Sequence, residues 1–272
     1  MLPSLSVLLE IRAESSTRAS ASKTLAVLAD PVVEGHDPRL AQPKTPSTSR
    51  LRAVSGRRGL PAFGGVRNPF NTSAGADEIV NFVRLPFAAE EAEMLIKLVP
   101  ESERLVATGF DANRQMASSE ALSHFRIIHF ATHGLLDFKH PRLSCLVLSR
   151  FDHKGVPQDG YFRLQDVYSM KLSADLVVLS ACQSALGKEI RGEGLIGLTR
   201  GFFYAGAARV VASLWNVDDN GSSRLMELFY RGMLGPEKLS PSTALRSAQV
   251  EMMQEERWRD PYFWAAFSIQ GL

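Results

Sequence analysis

At 272 residues, with 45% hydrophobic and 22% charged side chains, the chain has the length of one large domain or two small ones and enough apolar residues for a real core. Lys and Arg number 31 against 29 Asp and Glu, with no long block of one sign, so nothing points to a nucleic-acid partner or an anionic membrane surface. No apolar stretch approaches the ~18 residues of a spanning helix, and Met1–Glu10 lacks the basic start and small-residue cleavage site of a signal peptide. The chain reads as cytoplasmic, where its two cysteines are both thiols.

In chain order, Leu25-Ala26-Val27-Leu28-Ala29 reads as a buried strand stopped by Asp30-Pro31. Residues 35–76 hold many of the prolines, glycines and serines with almost no periodicity, which predicts a long flexible loop inside the domain. Ala92, Leu95, Ile96 and Leu98 have helical spacing within Glu90–Leu98; Arg104–Thr108 is a short strand, and a helix is expected over Asn113–Ser123. Two apolar runs follow, Arg126–Thr132 into His133-Gly134 and Asp175–Ala181 into Cys182-Gln183-Ser184. Between them lie a strand at Ser144–Ser149 and a helix near Leu164–Met170. After them come a helix at Leu195–Tyr204, a strand at Ala208–Leu214 and amphipathic helices at Arg224–Met233 and Ser242–Gln254. Aromatic-rich Trp258–Ile269 is expected to close the fold as a strand or hairpin. Apolar strands separated by helices predict an α/β fold, a mostly parallel sheet covered on both faces.

If the runs ending at His133 and Cys182 lie side by side, imidazole and thiol meet at the carboxyl edge of the sheet, where open α/β sheets place their sites. A thiol attacks as thiolate and needs a base to reach that form near neutral pH. His133 is the candidate base. Gly134 lets a backbone N–H approach a ligand closely. With the Cys182 N–H it makes a candidate oxyanion hole, typically worth ~3 kcal/mol per donor. Cys145, by contrast, sits within its strand and reads as core. His129 lies four residues before His133, a separation of ~13 Å along a strand, so the two do not share a metal; no metal site and no cofactor is expected.

Two rivals weaken on inspection. The α/β-hydrolase elbow places its histidine after the nucleophile, whereas His36, His124, His129, His133, His140 and His153 all precede Cys182. Gly192-x-Gly194-x-x-Gly197, with Asp218 further on, satisfies a dinucleotide fingerprint, but its first glycine does not follow a strand directly. These glycines read better as a mobile loop and a tightly packed helix start.

Six ordered motifs then carry a resemblance: His129-Phe-Ala-Thr-His-Gly134, Leu179-Ser-Ala-Cys-Gln-Ser184, Gly192-Glu-Gly-Leu-Ile-Gly-Leu198, Ala205-Gly-Ala207, Ser213-Leu-Trp-Asn-Val-Asp-Asp219 and Pro261-Tyr-Phe-Trp-Ala-Ala-Phe267. Together they resemble the CHAT domain, a caspase-like domain related to separases and often attached to tetratricopeptide repeats. The match runs from about Leu2 to Leu272, which implies a single domain over 1–272 with the caspase–hemoglobinase fold. The implied activity is that of a cysteine endopeptidase, with His133 and Cys182 as the dyad. Their separation of 49 residues agrees with the roughly 50-residue spacing of caspases. Ser180 stands where caspases carry glutamine, so cleavage after aspartate is not implied.

By analogy with separases, the resemblance implies a substrate pocket with Asp218, Asp219, Trp215 and Ser180, and a basic P1 residue on a protein or peptide substrate. The plain alternative for Asp219 is that it caps the next helix. The family usually begins with a strand before Pro3-Ser4-Leu5-Ser6, and here only Met1-Leu2 precede it, so a truncated start is expected. No repeat region for a regulatory protein partner is seen. A catalytically silent interaction module of the same fold stays open as the rival reading.

Overall fold

The computed structural model describes residues 21–40, 82–135, 144–183, 193–215 and 217–271, with the backbone alone for 181–183 and 193–196. The elements in chain order are β1 (Lys23–Pro31), α1 (Pro86–Lys97), β2 (Arg104–Gly109), α2 (Arg114–Ala117), β3 (Phe125–Leu135), β4 (Cys145–Val147) and β5 (Tyr161–Arg163). There follow α3 (Leu164–Tyr168), β6 (Leu176–Gln183), α4 (Glu193–Ala205), β7 (Arg209–Ser213), α5 (Asp219–Leu234), α6 (Pro241–Gln254), α7 (Pro261–Trp264) and β8 (Phe267–Gly271). The strands form one sheet in the order β2-β1-β3-β6-β7-β8, with β4 and β5 added on the β3 side. Contacts from β2 to β7 along this path are parallel, and β8 closes the edge antiparallel to β7.

Side-chain alternation divides the interior in two. Leu25, Val27, Ala29, Ile127, Ala131, Val178 and Val211 face α1, α5 and α6, meeting Ala88, Leu95, Leu225, Phe229 and Met252. Ala26, Leu28, Ile128, Phe130, Val177, Leu179 and Val210 face α3 and α4, meeting Leu164, Val167 and Phe202. Burial on both faces is why β1, β3, β6 and β7 read as continuous apolar runs. At the edge, β2 leaves Val106 41% exposed. Phe130 packs between Phe162, stacked at 6.2 Å, and Phe202, tilted at 5.8 Å between centroids, tying β3 to β5 and α4.

The helices begin where their chemistry directs. Pro86 and Pro241 occupy first-turn positions that need no N–H, and Ser240 caps α6 by accepting from the Thr243 amide. Gly201 lets α4 lie against α3, since a Cβ there would come within 2.5 Å of Leu164 Cδ1.

Several expectations are corrected. The helix expected over Asn113–Ser123 is broken, because α2 ends at Ala117 and a 3-10 turn takes up Glu120–His124. Ser118 and Ser119, short polar residues that compete for backbone hydrogen bonds, stand at the break. Trp258–Ile269 divides into a 3-10 turn, the short α7 and β8. β3 and β6 also continue past His133 and Cys182, to Leu135 and Gln183. Of the loop expected at 35–76, residues 41–76 lie outside the described residues; 35–40 form turns in which Arg39 contacts both Asp30 and Asp37. Among the described residues, no helix is long and apolar enough to cross a membrane.

Candidate active site

The two strands meet as the chemistry requires. β3 and β6 pair in parallel from Ile127 opposite Leu176 to Gly134 opposite Gln183, and this register sets His133 opposite Cys182. Adjacent strands lie ~4.8 Å apart, and residues in register share a face. Position 182 therefore falls on the same face of the sheet as His133, the face covered by α1 and α5. The Cys182 thiol itself lies outside the described side chains. Cys145 is the contrast: it is 1% exposed, and burial pushes its thiol up to about 12. A thiol so placed stays protonated and inert.

His133 is 8% exposed. Its Nε2 lies 2.6 Å from the Val83 carbonyl oxygen. A carbonyl only accepts, so Nε2 carries the proton and Nδ1 holds the lone pair of the neutral ring. Phe82 packs against the imidazole with centroids 5.3 Å apart, and itself belongs to a small cluster of Val33, Leu135, Cys145, Val147 and Tyr161. Burial pulls the His133 pKa below its ordinary value, opposed by the Val83 hydrogen bond and the Glu34 carboxylate. A neutral imidazole whose Nε2–H is held by a backbone carbonyl is fixed in one tautomer. Val83 contributes only its carbonyl, and a backbone group leaves no mark in a sequence.

Gly134 is paired with Gln183 on one side and Leu146 on the other. Its amide points into one ladder or the other, as alternate residues of an interior strand do.

Beneath the site, His129 is fully buried, with Nε2 2.8 Å from Glu91 Oε1 and Nδ1 2.9 Å from the Tyr230 hydroxyl. Ser180 Oγ donates to Glu91 Oε2 at 3.2 Å. One proton assignment suits these contacts: Tyr230 donates to Nδ1, the Ser180 hydroxyl donates to Glu91 Oε2, and Nε2–H faces Glu91 Oε1 at 2.8 Å without the alignment of a hydrogen bond. Tyr230 stays a donor, since burial and Glu91 raise its pKa well above the ordinary value. Ser180, expected to line the pocket, is 7% exposed beneath Glu91. Neither Glu91 nor Tyr230 was singled out by the sequence; the buried Glu at helical spacing with Ala88, Ala92 and Leu95 was the available signal.

The acids after β7 divide their roles. Asp218, not Asp219, caps α5, its Oδ2 accepting from the Gly221 amide at 2.9 Å. Asp219 turns instead to α1, where its Oδ2 accepts from the Phe87 amide at 3.0 Å. That amide is one of the first-turn donors left over by the helix, whose Leu85 cap offers no side-chain acceptor. Burial, reinforced by Glu91, Asp218 and Asp30, pushes the Asp219 carboxyl up to about 6 against the lowering effect of the Phe87 hydrogen bond. Trp215 donates its indole N–H to the Tyr262 carbonyl at 3.2 Å, anchoring this loop to α7. The second and third glycines of the dinucleotide-like motif lie inside α4, and the first lies outside the described residues.

A family model of the CHAT domain matches residues 1–272. The chain belongs to the CHAT domain family. The family is caspase-like, and the mostly parallel sheet with helices on both faces agrees with it. Tetratricopeptide repeat protein 28 of Mus musculus is 30% identical to this CHAT domain over 223 residues, which is 69% of this chain and 8% of that protein. The protein of the same name in Homo sapiens is 30% identical over 221 residues, again 69% of this chain and 8% of the relative. The chain thus spans a small part of the length of these relatives.

The protonation of His133 can be read directly. Its imidazole resonances should titrate with a midpoint below the ~6.5 of an unperturbed histidine when followed by NMR. A base whose folded pKa is depressed contributes stability that is present above the unfolded value and lost as pH falls through the folded one. Chemical denaturation should show part of the acid destabilisation in that window, and His133→Gln should remove that part.

Proposed function

We propose that this CHAT domain is a cysteine endopeptidase acting on protein or peptide substrates through His133 and Cys182. The observation that carries the proposal is the parallel register of β3 and β6, which sets the two residues opposite each other, with the His133 tautomer fixed by the Val83 carbonyl. In the reaction, His133 Nδ1 takes the thiol proton and Cys182 attacks the scissile carbonyl. The Cys182 and Gly134 amides hold the oxyanion, the latter by leaving its ladder partner as substrate arrives. His133 returns the proton to the leaving amine, and water, with the proton taken again by His133, releases the acyl group from sulfur. The residue set needs no metal or organic cofactor for this chemistry.

For the P1 residue we propose lysine or arginine, read by Asp219. Asp218 is committed to a helix cap, whereas Asp219 is half-buried and acidic enough to be largely ionised above about pH 6. A cytoplasmic place of action fits the thiol chemistry. The repeats that give the relatives their name support a protein partner that brings substrate or regulates the domain. A silent interaction module of the same fold predicts no turnover at all.

Two experiments test this reading. Cys182→Ala should abolish hydrolysis of lysine- or arginine-containing peptides while Cys145→Ala, if folded, retains it; the reverse pattern, or no hydrolysis by the unaltered protein with any peptide, contradicts the assignment. Asp219→Asn should lower kcat/KM for basic P1 peptides by about tenfold or more, equivalent to ~1.4 kcal/mol, and leave neutral P1 peptides nearly unchanged. In the unaltered protein the basic preference should itself weaken as pH falls through about 6. Because folding raises the Asp219 pKa, the ionised form costs stability above that pH, so Asp219→Asn should be no less stable than the parent at pH 8.

A further inference from the structure

The segment that gives His133 its carbonyl partner is itself held by charge. Val83 is 67% exposed, so its own side chain anchors little. Arg84, the next residue, reaches back to the end of β1 and grips Asp30 with two hydrogen bonds, Nε to Oδ1 at 2.9 Å and Nη2 to Oδ2 at 2.7 Å. Its amide donates to the Glu34 carboxylate. The Asp30 side chain is 5% exposed against 37% for Arg84, so the acid is rooted in the fold and the arginine lies over it.

Asp30 is also one of the few non-glycine residues with a left-handed backbone, at φ 47°. Such a conformation costs free energy and persists only where the surroundings fix it. Arg39 does much of that fixing: it binds Asp30 Oδ2 at 2.7 Å and the Asp30 carbonyl at 2.9 Å, and pairs with Asp37 at 2.6 Å. Asp30 is thus presented to Arg84 by a second arginine.

We infer that Arg84, seated on Asp30, is a positioning residue that holds the Val83 carbonyl against His133 Nε2 and thereby selects the imidazole tautomer that carries its proton on Nε2. The inference rests on the proposed role of His133 as base. Three attachments locate the carbonyl: the Phe82 ring in its apolar cluster, the Arg84 amide on Glu34 and the Arg84 guanidinium on Asp30. The guanidinium pair is the one that fixes both direction and depth, because a bidentate arginine–carboxylate contact admits one planar geometry. A lysine at this position keeps the charge but not the fork.

The experiment compares the unaltered protein with Arg84→Ala, Arg84→Lys and Asp30→Asn, reading the His133 tautomer by nitrogen NMR and hydrolysis of a lysine-P1 peptide by steady-state kinetics. The unaltered protein should show Nε2–H. Arg84→Ala and Asp30→Asn should populate both tautomers and lower kcat by ~10–100-fold with a smaller change in KM, the scale expected of a misplaced reacting group. Arg84→Lys should fall between, and only the arginine should restore a single tautomer. An unchanged tautomer in a folded Arg84→Ala protein, or Nδ1–H in the unaltered protein, overturns the inference. Because the tautomer is read without turnover, a protein that never hydrolyses peptide but loses its single tautomer in Arg84→Ala counts against the peptidase reading and not against the clamp. If Arg84→Ala does not fold, Asp30→Asn and Arg84→Lys give the same readout, and full retention of the tautomer in both has the same contrary meaning.

Discussion

The parallel pairing of β3 with β6 is the constraint on which the site depends, because side chains alternate along a strand and a slip of one residue would turn every one of them to the opposite face. In the observed register His133 stands opposite Cys182, and four residues earlier His129 stands opposite Val178. Apolar alternation alone specifies this register weakly, since both faces of both strands are buried and Ile, Val and Leu occupy each. The buried carboxylate of Glu91 adds what the apolar residues lack. It takes His129 from β3 and Ser180 from β6 on its two oxygens, so α1 reads both strands at once. A slipped strand would leave a buried charge or hydroxyl without its partner, at a cost of about 1–3 kcal/mol for a neutral group and more for a charged one.

That polar chain separates two uses of histidine on one strand. His129, enclosed by Glu91 and Tyr230, has both ring nitrogens occupied by fixed partners inside the core. His133, two strand repeats nearer the carboxyl edge, has Nε2 taken by a backbone carbonyl of a surface segment. The first arrangement builds the fold, and the second fixes the tautomer of the histidine we propose as the base. Asp219 and Asp30 likewise carry a stability cost beside the site: one is a carboxyl held at about 6 by burial, the other a left-handed backbone at φ 47°. Such local costs are expected where geometry serves chemistry.

Much of this was legible in the chain. Continuous apolar runs at Leu25–Ala29, Arg126–Thr132 and Asp175–Ala181 announced interior parallel strands, and the residues at their ends marked the candidate pair that the register sets opposite each other, since side-chain type and strand position are local properties. What was not legible depends on tertiary contact. The Val83 carbonyl is invisible because any residue would supply it. Arg84, Glu91 and Tyr230 look like ordinary helix or surface residues until α1 and α5 are laid on the sheet. Helix capping was the alternative weighed for Asp219, yet Asp218 performs it, a one-residue distinction set by backbone angles at the helix start. Ser180 was given to the pocket because it lies two residues before the cysteine, yet that spacing on a strand places it one pleat deeper, under Glu91.

The central claim is that His133 activates the thiol of Cys182. Its most direct test is covalent labelling by a peptidyl electrophile with a lysine or arginine P1 group, with the modified residue located by mass spectrometry of the folded protein near neutral pH. The account predicts one adduct per chain, on Cys182, slowed strongly in His133→Ala and absent from buried Cys145. Labelling of Cys182 at the same rate with and without His133, or no labelling of Cys182 at all, would contradict it.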